Sequence, residues 1–225
     1  MTGHDIRHPE VITFAADIVY HLAAISSVGA CQSDPTECLD VNVMGTARII
    51  EYAKSCAARV VFASSGSVYG ECYEPAEYTT PRNPLSWYGL SKLLGEKLLE
   101  SSEIEYAAVR LGNVVGGDAY QGRIVPALLR CAETGEPFIM RGDSVRAYVS
   151  LYDAVTALMC GESKNVGYVT ASNLNVVKAV EDVTGKSIKV IERPRNPWEP
   201  DQTDFWDSRP GLIHPLIEGF VKCKV

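Results

Sequence analysis

Alternating strand and helix patterns constrain the fold of this chain more than any other feature. Three short apolar runs have the composition of buried parallel strands: residues 17–24, 59–64 and 106–111. Asp34-Pro35 caps and starts a helical pattern that continues to about Ser55, and leucines three and four residues apart predict another helix over 86–101. This alternation predicts a parallel sheet with right-handed crossovers, in which functional groups lie at the carboxyl ends of the strands.

The pattern becomes mixed after Gly112. Helices are predicted over 124–134, 151–160 and 176–184, and short strands near 137–140, 147–150, 166–170 and 187–191. We therefore predict an α/β protein: a Rossmann-like, doubly wound parallel sheet in 1–112, and a small mixed α/β region in 113–225. The chain is expected to cross back near 147–160, and the second region to hold the substrate.

Composition excludes several classes of protein. The 225-residue chain has a formal net charge of −7, which argues against non-specific binding of nucleic acid. Neither a signal peptide nor an apolar run of the ~18 residues that a membrane span requires is present, so membrane insertion and secretion are not expected. Seven scattered cysteines without CxxC spacing predict reduced thiols, no metal site and a cytoplasmic location.

Tyr88 and Lys92 form a YxxxK pair in the predicted helix 86–101, which puts their side chains one turn apart on one face. Tyrosine ordinarily has a pKa near ~10, and a neighbouring ammonium favours the tyrosinate, so the pair predicts an acid/base. Ser65, in the serine-rich turn after the strand 59–64, is predicted to hydrogen-bond the same substrate oxygen. A YxxxK pair alone is more often a chance spacing on an exposed helix, and the serine run favours a proton-transfer site.

Three nearby residues are given structural interpretations. His21 is interpreted as a packed, hydrogen-bonded histidine at a strand end rather than a catalytic base. Asn42 is expected to bond backbone near the site rather than substrate. Cys72 is interpreted as incidental, because no histidine partner lies near it in the sequence.

Several motifs together resemble one family, the extended short-chain dehydrogenase/reductases, in their NAD-dependent nucleotide-sugar epimerase/dehydratase branch. The motifs occur in the family's order: His21–Ala24, Val41–Thr46, Ser64–Gly70, Tyr88–Lys92, Arg110–Val114 and Arg146–Val149. The resemblance implies NAD as cofactor, with Leu22, Ala23, Ala24, Tyr88 and Lys92 beside it and Asp5 and Ile6 on the adenine side. It also implies that Asn113 and Arg146 contact a nucleotide sugar, most simply a UDP-sugar.

The resemblance implies a mechanism that suits this chemistry. Tyr88 takes the proton of the sugar C4 hydroxyl while NAD takes the C4 hydride, Lys92 holds the nicotinamide ribose, and Ser65 bridges to the sugar oxygen. Gly66-Ser67 stands where the family's 4,6-dehydratases carry an Asp-Glu pair, which disfavours dehydration. The expected function is therefore that of a nucleotide-sugar 4-epimerase.

The amino terminus departs from the family pattern. The family opens with a strand and a glycine-rich GxxGxxG turn that receives the NAD pyrophosphate, and the sequence shows neither. Region 1–112 is therefore expected to lack its first βαβ portion and to bind NAD weakly alone. Two alternatives stay open: a nucleotide-sugar reductase or dehydrogenase of the same branch, and a non-catalytic chain that binds a nucleotide sugar or a partner. The family also implies a homodimer through the helices around 36–55 and 87–101.

Overall fold

The computed structural model describes residues 5–7, 14–73, 76–117, 123–203, 209–210 and 213–222. The chain divides into two compact units. The first comprises residues 1–70, 81–110 and 157–164, and the second comprises 71–80, 111–156 and 165–225. The assignment of 1–112 to NAD and 113–225 to substrate stays a prediction.

Strands and helices alternate along the described chain. In order they are β1 (Ile18–His21), α1 (Val28–Ser33), α2 (Pro35–Leu39), a π-helical turn (Asp40–Met44), α3 (Gly45–Cys56), β2 (Arg59–Ser65), a 3₁₀ turn (Gly66–Val68), α4 (Trp87–Glu100), β3 (Tyr106–Leu111), β4 (Asn113–Val115), α5 (Ile124–Thr134), β5 (Phe138–Arg141), β6 (Val145–Ser150), α6 (Leu151–Cys160), β7 (Lys164–Val166), β8 (Val169–Ser172), α7 (Asn173–Thr184), β9 (Val190–Arg193), β10 (Gln202–Thr203), β11 (Arg209–Pro210) and α8 (Ile213–Lys222).

A four-stranded sheet has the order β1-β2-β3-β7. β1 pairs with β2 in parallel, with Ile18 opposite Arg59 and His21 opposite Phe62. Helices α3 and α4 pack against this sheet through one cluster of buried side chains. The cluster contains Ile50 and Ala53 of α3, Val60 and Phe62 of β2, Leu99 of α4 and Ala108 of β3. The predicted α/β class with parallel, Rossmann-like pairing is confirmed.

The helix predicted from Asp34 to about Ser55 contains a π-helical turn that separates α2 from α3. Its start is as expected, because the Asp34 side chain accepts from the Glu37 amide and Pro35 occupies the first turn. Asn42, in the π-helical turn, is 3% exposed. The wider turn adds a residue to the helix at a point where a buried polar side chain needs partners.

The second unit contains a sheet of mixed direction. β6 pairs antiparallel with β8 and parallel with β4 and β10, and β8 pairs parallel with β11. β5 and β9 form a separate parallel pair. Apolar side chains of α5, α7 and α8 form the buried core, including Leu128, Val176, Val180 and Ile217.

Cys31 and Cys38 form a disulfide, so the prediction of reduced thiols is wrong for these two residues. Both are completely buried, one in α1 and one in α2, where the short connection brings them together. Cys56, Cys72, Cys131 and Cys160 carry thiols that form no disulfide among the described residues, and Cys223 lies outside those residues. A disulfide is uncommon in a reducing compartment, and the cytoplasmic location stays a prediction.

None of the helices in the described residues has both the length and the apolar composition needed to cross a membrane. The described part of the chain also contains no group of three histidine, cysteine, aspartate or glutamate residues able to hold a metal ion.

Candidate active site

Ser65 is the last residue of β2, at the carboxyl end of the strand. Its backbone is extended, and its hydroxyl caps the following 3₁₀ turn by accepting from the Ser67 amide at 3.2 Å. The same hydroxyl donates to Ser67 Oγ at 3.2 Å. The serine-rich sequence therefore forms a short turn that presents a half-buried hydroxyl where the sequence predicts one.

Tyr88 lies in the first turn of α4, which begins after the Ser86 cap. The Ser86 side chain accepts from the Gly89 amide at 3.1 Å, and the Tyr88 carbonyl accepts from Ser91 Oγ at 2.8 Å. A Cβ on Gly89 would lie 2.5 Å from the Ser67 carbonyl oxygen. The glycine next to Tyr88 thus lets the helix approach the serine turn more closely than any other residue would allow.

Lys92 is buried one turn further along α4. Its side chain is 4% exposed, and its Nζ donates to the Ala63 carbonyl of β2 at 2.9 Å, two residues before Ser65. The Nζ lies 6.0 Å from the centre of the Tyr88 ring and 4.9 Å from that of Phe62. Burial lowers the pKa of Lys92 from 10.5 to about 8. The ammonium is therefore held close to Tyr88 and can lose its proton in mild alkali.

His21 has the structural role predicted for it. It is 3% exposed at the end of β1, and its Nε2 lies 2.9 Å from the Thr46 hydroxyl. Burial, with a smaller effect from the charge of Lys92, lowers the pKa of His21 from 6.5 to about 3. The imidazole is neutral at physiological pH.

Asn42 bonds backbone near the site, as the sequence analysis expects. Its Oδ1 accepts from the Ile25 amide at 2.8 Å, and its Nδ2 donates to the Ile25 carbonyl at 3.1 Å. The same Nδ2 donates to Ser91 Oγ at 2.9 Å, and Ser91 in turn bonds the Tyr88 carbonyl. The π-helical turn is thereby connected to the first turns of α4.

Glu96 and Arg110 form a buried ion pair that is not among the residues predicted from the sequence. They are 1% and 2% exposed, and the Arg110 Nη2 lies 2.8 Å from Glu96 Oε2. Burial acts to raise the pKa of Glu96, but hydrogen bonds from Arg110 and Ser64 outweigh it and lower that pKa. Two features of the sequence could have indicated this pair. Glu96 lies four residues after Lys92 on an apolar helix face, and Arg110 lies inside an apolar strand.

The residues predicted on the cofactor side lie at two places in the first unit. Leu22, Ala23 and Ala24 directly follow β1, and Leu22 is 55% exposed. Asp5 accepts four bonds from three donor atoms of Arg7, and Ile6 packs against the backbone of Gly45 at the start of α3. Exposed apolar residues therefore lie at the carboxyl end of a parallel strand, where ligands bind in open α/β sheets.

Asn113 and Arg146, the residues predicted to contact substrate, lie on neighbouring strands of the second unit. Asn113 begins β4 opposite Tyr148 of β6, and lines a cavity with Arg123 and Tyr148. Arg146 donates to the carbonyls of Val145 at 2.8 Å, Pro200 at 2.5 Å and Asp201 at 3.2 Å. Its guanidinium is thus held by backbone oxygens, and burial lowers its pKa from the ordinary value.

Comparison with known proteins identifies the family. The model of the NAD dependent epimerase/dehydratase family matches residues 4–168, and the chain belongs to that family. A UDP-glucose 4-epimerase from Streptococcus mutans is 29% identical over 82% of this chain and 66% of its own length. A UDP-N-acetyl-alpha-D-glucosaminuronate decarboxylase from Bacillus cytotoxicus is 28% identical over 79% of this chain and 62% of its own.

A solved structure supports the same relationship. The UDP-glucose 4-epimerase of Thermus thermophilus, in complex with NAD, matches with a TM-score of 0.84 and 25% identity. The match covers 96% of this chain and 78% of the Thermus chain. This chain spans about two thirds of the length of the Streptococcus relative, 66%.

NAD is the cofactor of the family, and the described residues fit its reactive end. Lys92 supplies a buried donor beside Tyr88, and Leu22 to Ala24 supply exposed apolar surface at the end of β1. An apolar surface and a few polar donors are what a planar aromatic cofactor ring requires. Whether these particular residues bind NAD stays a prediction.

Proposed function

We propose that this protein is an NAD-dependent nucleotide-sugar 4-epimerase, with Ser65, Tyr88 and Lys92 as its catalytic residues. The observation that supports this most directly is the buried Lys92, whose Nζ lies 6.0 Å from the Tyr88 ring on the helix that abuts the serine turn. Family membership and the named activity of the Streptococcus relative point to the same reaction. The similar identity of the decarboxylase means that overall similarity alone does not select the reaction.

Tyr88 is proposed to act as the acid/base at the sugar C4 hydroxyl. NAD, when bound, supplies the chemistry of reversible hydride transfer. Tyr88 as tyrosinate takes the hydroxyl proton on oxidation and returns it on reduction, so that no net proton is consumed. Ser65 Oγ, half-buried at the end of β2, can turn its proton from Ser67 Oγ and donate a hydrogen bond to the same oxygen.

Lys92 is proposed to favour the tyrosinate through its charge. With a pKa of about 8 it is mostly protonated at neutral pH, and the surrounding protein screens it poorly because it is 4% exposed. The ammonium stabilises the anion that the reaction requires, and its bond to Ala63 fixes its position. The effect weakens as pH rises through about 8, because Lys92 then loses its charge.

The proposed substrate is a UDP-sugar, bound through Asn113 and Arg146 of the second unit. The names of the Streptococcus and Thermus relatives support the UDP moiety. Arg146 retains a positive charge at neutral pH, and its fixed guanidinium suits a phosphate, which accepts paired hydrogen bonds. The identity of the sugar is left to the assay.

The experiment is an epimerisation assay with NAD in excess, using UDP-glucose and UDP-galactose and separating the two products. We expect turnover in the parent and a loss of roughly 10²-fold or more in Tyr88→Phe. The control Tyr168→Phe, whose ring is partly exposed, should retain the turnover of the parent. Accumulation of NADH would indicate a dehydrogenase of the same branch instead. Absence of turnover in the parent, or near-parental turnover in Tyr88→Phe, would contradict the proposal.

A homodimer through α2, α3 and α4 is proposed from the family resemblance. Met44, in the π-helical turn between α2 and α3, is 49% exposed, and Trp87 at the start of α4 is 37% exposed, so apolar side chains are available on both helical segments. Light scattering at micromolar concentration tests this, and a monomeric mass would contradict it.

A further inference from the structure

Two hydrogen bonds connect α4 to the end of β2, and Glu96 accepts one of them. Ser64 Oγ donates to Glu96 Oε1 at 2.5 Å, and Lys92 Nζ donates to the Ala63 carbonyl at 2.9 Å. Consecutive residues of the strand therefore bond residues one turn apart on the helix. Such a pair of contacts opposes both sliding of the helix along the strand and rotation about its axis.

The Glu96 carboxylate is itself fixed by two arginines. Its Oε1 accepts from Arg110 Nε at 2.9 Å, and its Oε2 accepts from Arg110 Nη2 at 2.8 Å and from Arg82 Nη1 at 2.7 Å. Arg110 is anchored in β3 and also donates to the Tyr69 hydroxyl at 2.6 Å. A bidentate, buried ion pair has one favourable geometry, because any reorientation leaves charges unpaired away from water.

We infer that Glu96 is a positioning residue that fixes α4 against β2 through Ser64 and thereby holds Lys92 at the Ala63 carbonyl and Tyr88 at the serine turn. Its effect on turnover rests on the proposed function, whereas its effect on the placement of Lys92 does not. The Glu96 carboxylate accepts its bonds from Ser64 and the two arginines, so it acts on Lys92 through the position of the helix.

The protonation of Lys92 reports that position. Lys92 faces His21 from β1, Phe62 from β2 and Tyr88 from its own helix. Burial is the cause of its lowered pKa, so a displaced α4 that admits water would return the pKa toward 10.5. A substitution that merely destabilises the protein leaves the native pKa unchanged.

The test is Ser64→Ala, which removes one bond to Glu96 and leaves its bonds to both arginines. Lysine is labelled with ¹³C at Cε, and the Lys92 signal, assigned with Lys92→Arg, is followed against pH in the full chain. We expect the midpoint to rise from about 8 by roughly half a unit or more in Ser64→Ala. Turnover is expected to fall roughly tenfold with little change in KM, and Ser64→Thr should restore both.

Ser102→Ala is the matched control, because Ser102 Oγ donates to the Leu99 carbonyl at 2.7 Å at the other end of α4. It should lower the unfolding midpoint without moving the Lys92 titration. An unchanged titration in Ser64→Ala would overturn the inference even if the variant is less stable. If Ser64→Ala does not fold, the Lys92 titration is measured in Ser64→Cys instead. A parent without turnover would contradict the proposed function, and the Lys92 titration would still test the role of Glu96.

Discussion

Lys92 and Arg110 are two buried cations of the first unit with opposite surroundings. Lys92 is 4% exposed and bonds a backbone carbonyl, whereas Arg110 is 2% exposed and bonds the Glu96 carboxylate. Burial lowers the pKa of Lys92 to about 8. Burial acts in the same direction on Arg110, but the bonds and charge of Glu96 outweigh it and raise that pKa. A buried cation without a counter-ion can titrate near neutral pH, and one with a counter-ion is permanently charged.

The largest effect on the free energy of unfolding is expected at Arg110, which is paired with Glu96. Arg110→Met leaves the buried Glu96 with Arg82 and Ser64 alone, and should lower the free energy of unfolding by about 3–5 kcal/mol. Urea denaturation at pH 7 measures it. Adding Glu96→Leu to the same chain should recover part of the loss, because no unpaired charge then remains at that position. A loss in Arg110→Met below about 1 kcal/mol would mean that the pair is not a fixed point of the fold.

Lys92, which has no counter-ion among the described residues, should behave in the opposite way. Lys92→Met removes a charge that burial opposes, and should raise the free energy of unfolding by about 2 kcal/mol at pH 7, after allowance for the lost bond to Ala63. Urea denaturation measures this gain in the same way. Activity should nevertheless be lost.

The gain in Lys92→Met should also depend on pH. Because the folded pKa of Lys92 lies below the unfolded value of 10.5, the unfolded chain binds more protons between about 8 and 10.5, and the parent gains stability over that range. The advantage of Lys92→Met should therefore be complete below pH 8 and shrink toward pH 10.5. Lys97→Met, half-exposed on the same helix, is the control and should change stability by less than about 0.5 kcal/mol.

His21 extends the comparison to acid pH. Its folded pKa of about 3 lies below the unfolded 6.5, so the unfolded chain binds more protons in that range and stability falls as pH falls below 6.5. The parent should lose about 1.2 kcal/mol relative to His21→Gln between pH 6 and pH 5. His214→Gln on α8 controls for loss of an imidazole. Parallel stability curves for the parent and His21→Gln would show that His21 is not buried neutral.

The smallest effect concerns how closely α4 approaches the serine turn. Gly89→Ala gains helix propensity but pushes a Cβ against the Ser67 carbonyl, so a net loss of about 1 kcal/mol is expected. Gly219→Ala in α8 meets no atom of the described residues within 4 Å and should instead gain up to about 1 kcal/mol. Thermal unfolding of both variants measures the difference. Equal effects would mean that the contact at Ser67 is not close.

The sequence predicts the parts of this fold that depend on local pattern. α4 spans Trp87–Glu100 against a prediction of 86–101, and α5 and α6 have the predicted bounds, because each is amphipathic over several turns. The spacing of Tyr88 and Lys92 fixes their shared face for the same reason. His21 and Asn42 are also interpreted correctly, since a polar residue among buried apolar neighbours must find a partner.

What the sequence does not predict depends on contacts between distant segments. Glu96 and Arg110 lie on different elements, and the packing of α4 against the sheet brings them together. β10 and β11 have two residues each and form because β6 and β8 offer them edges. The Cys31–Cys38 disulfide likewise requires the turn between α1 and α2. Pattern alone contains none of this information.

The π-helical turn at Asp40–Met44 changes the direction in which side chains point before and after it along the helical segment. Each residue of an α-helix rotates the side-chain direction by about 100°, so one added residue shifts the phase of everything after it by about that angle. Asn42 points to Ile25 and Ser91, while Ile50 and Ala53 of α3 remain packed against the sheet. A regular helix with the same core face would turn the Asn42 amide away from α4, and the first turns around Tyr88 would lose their link to Ile25.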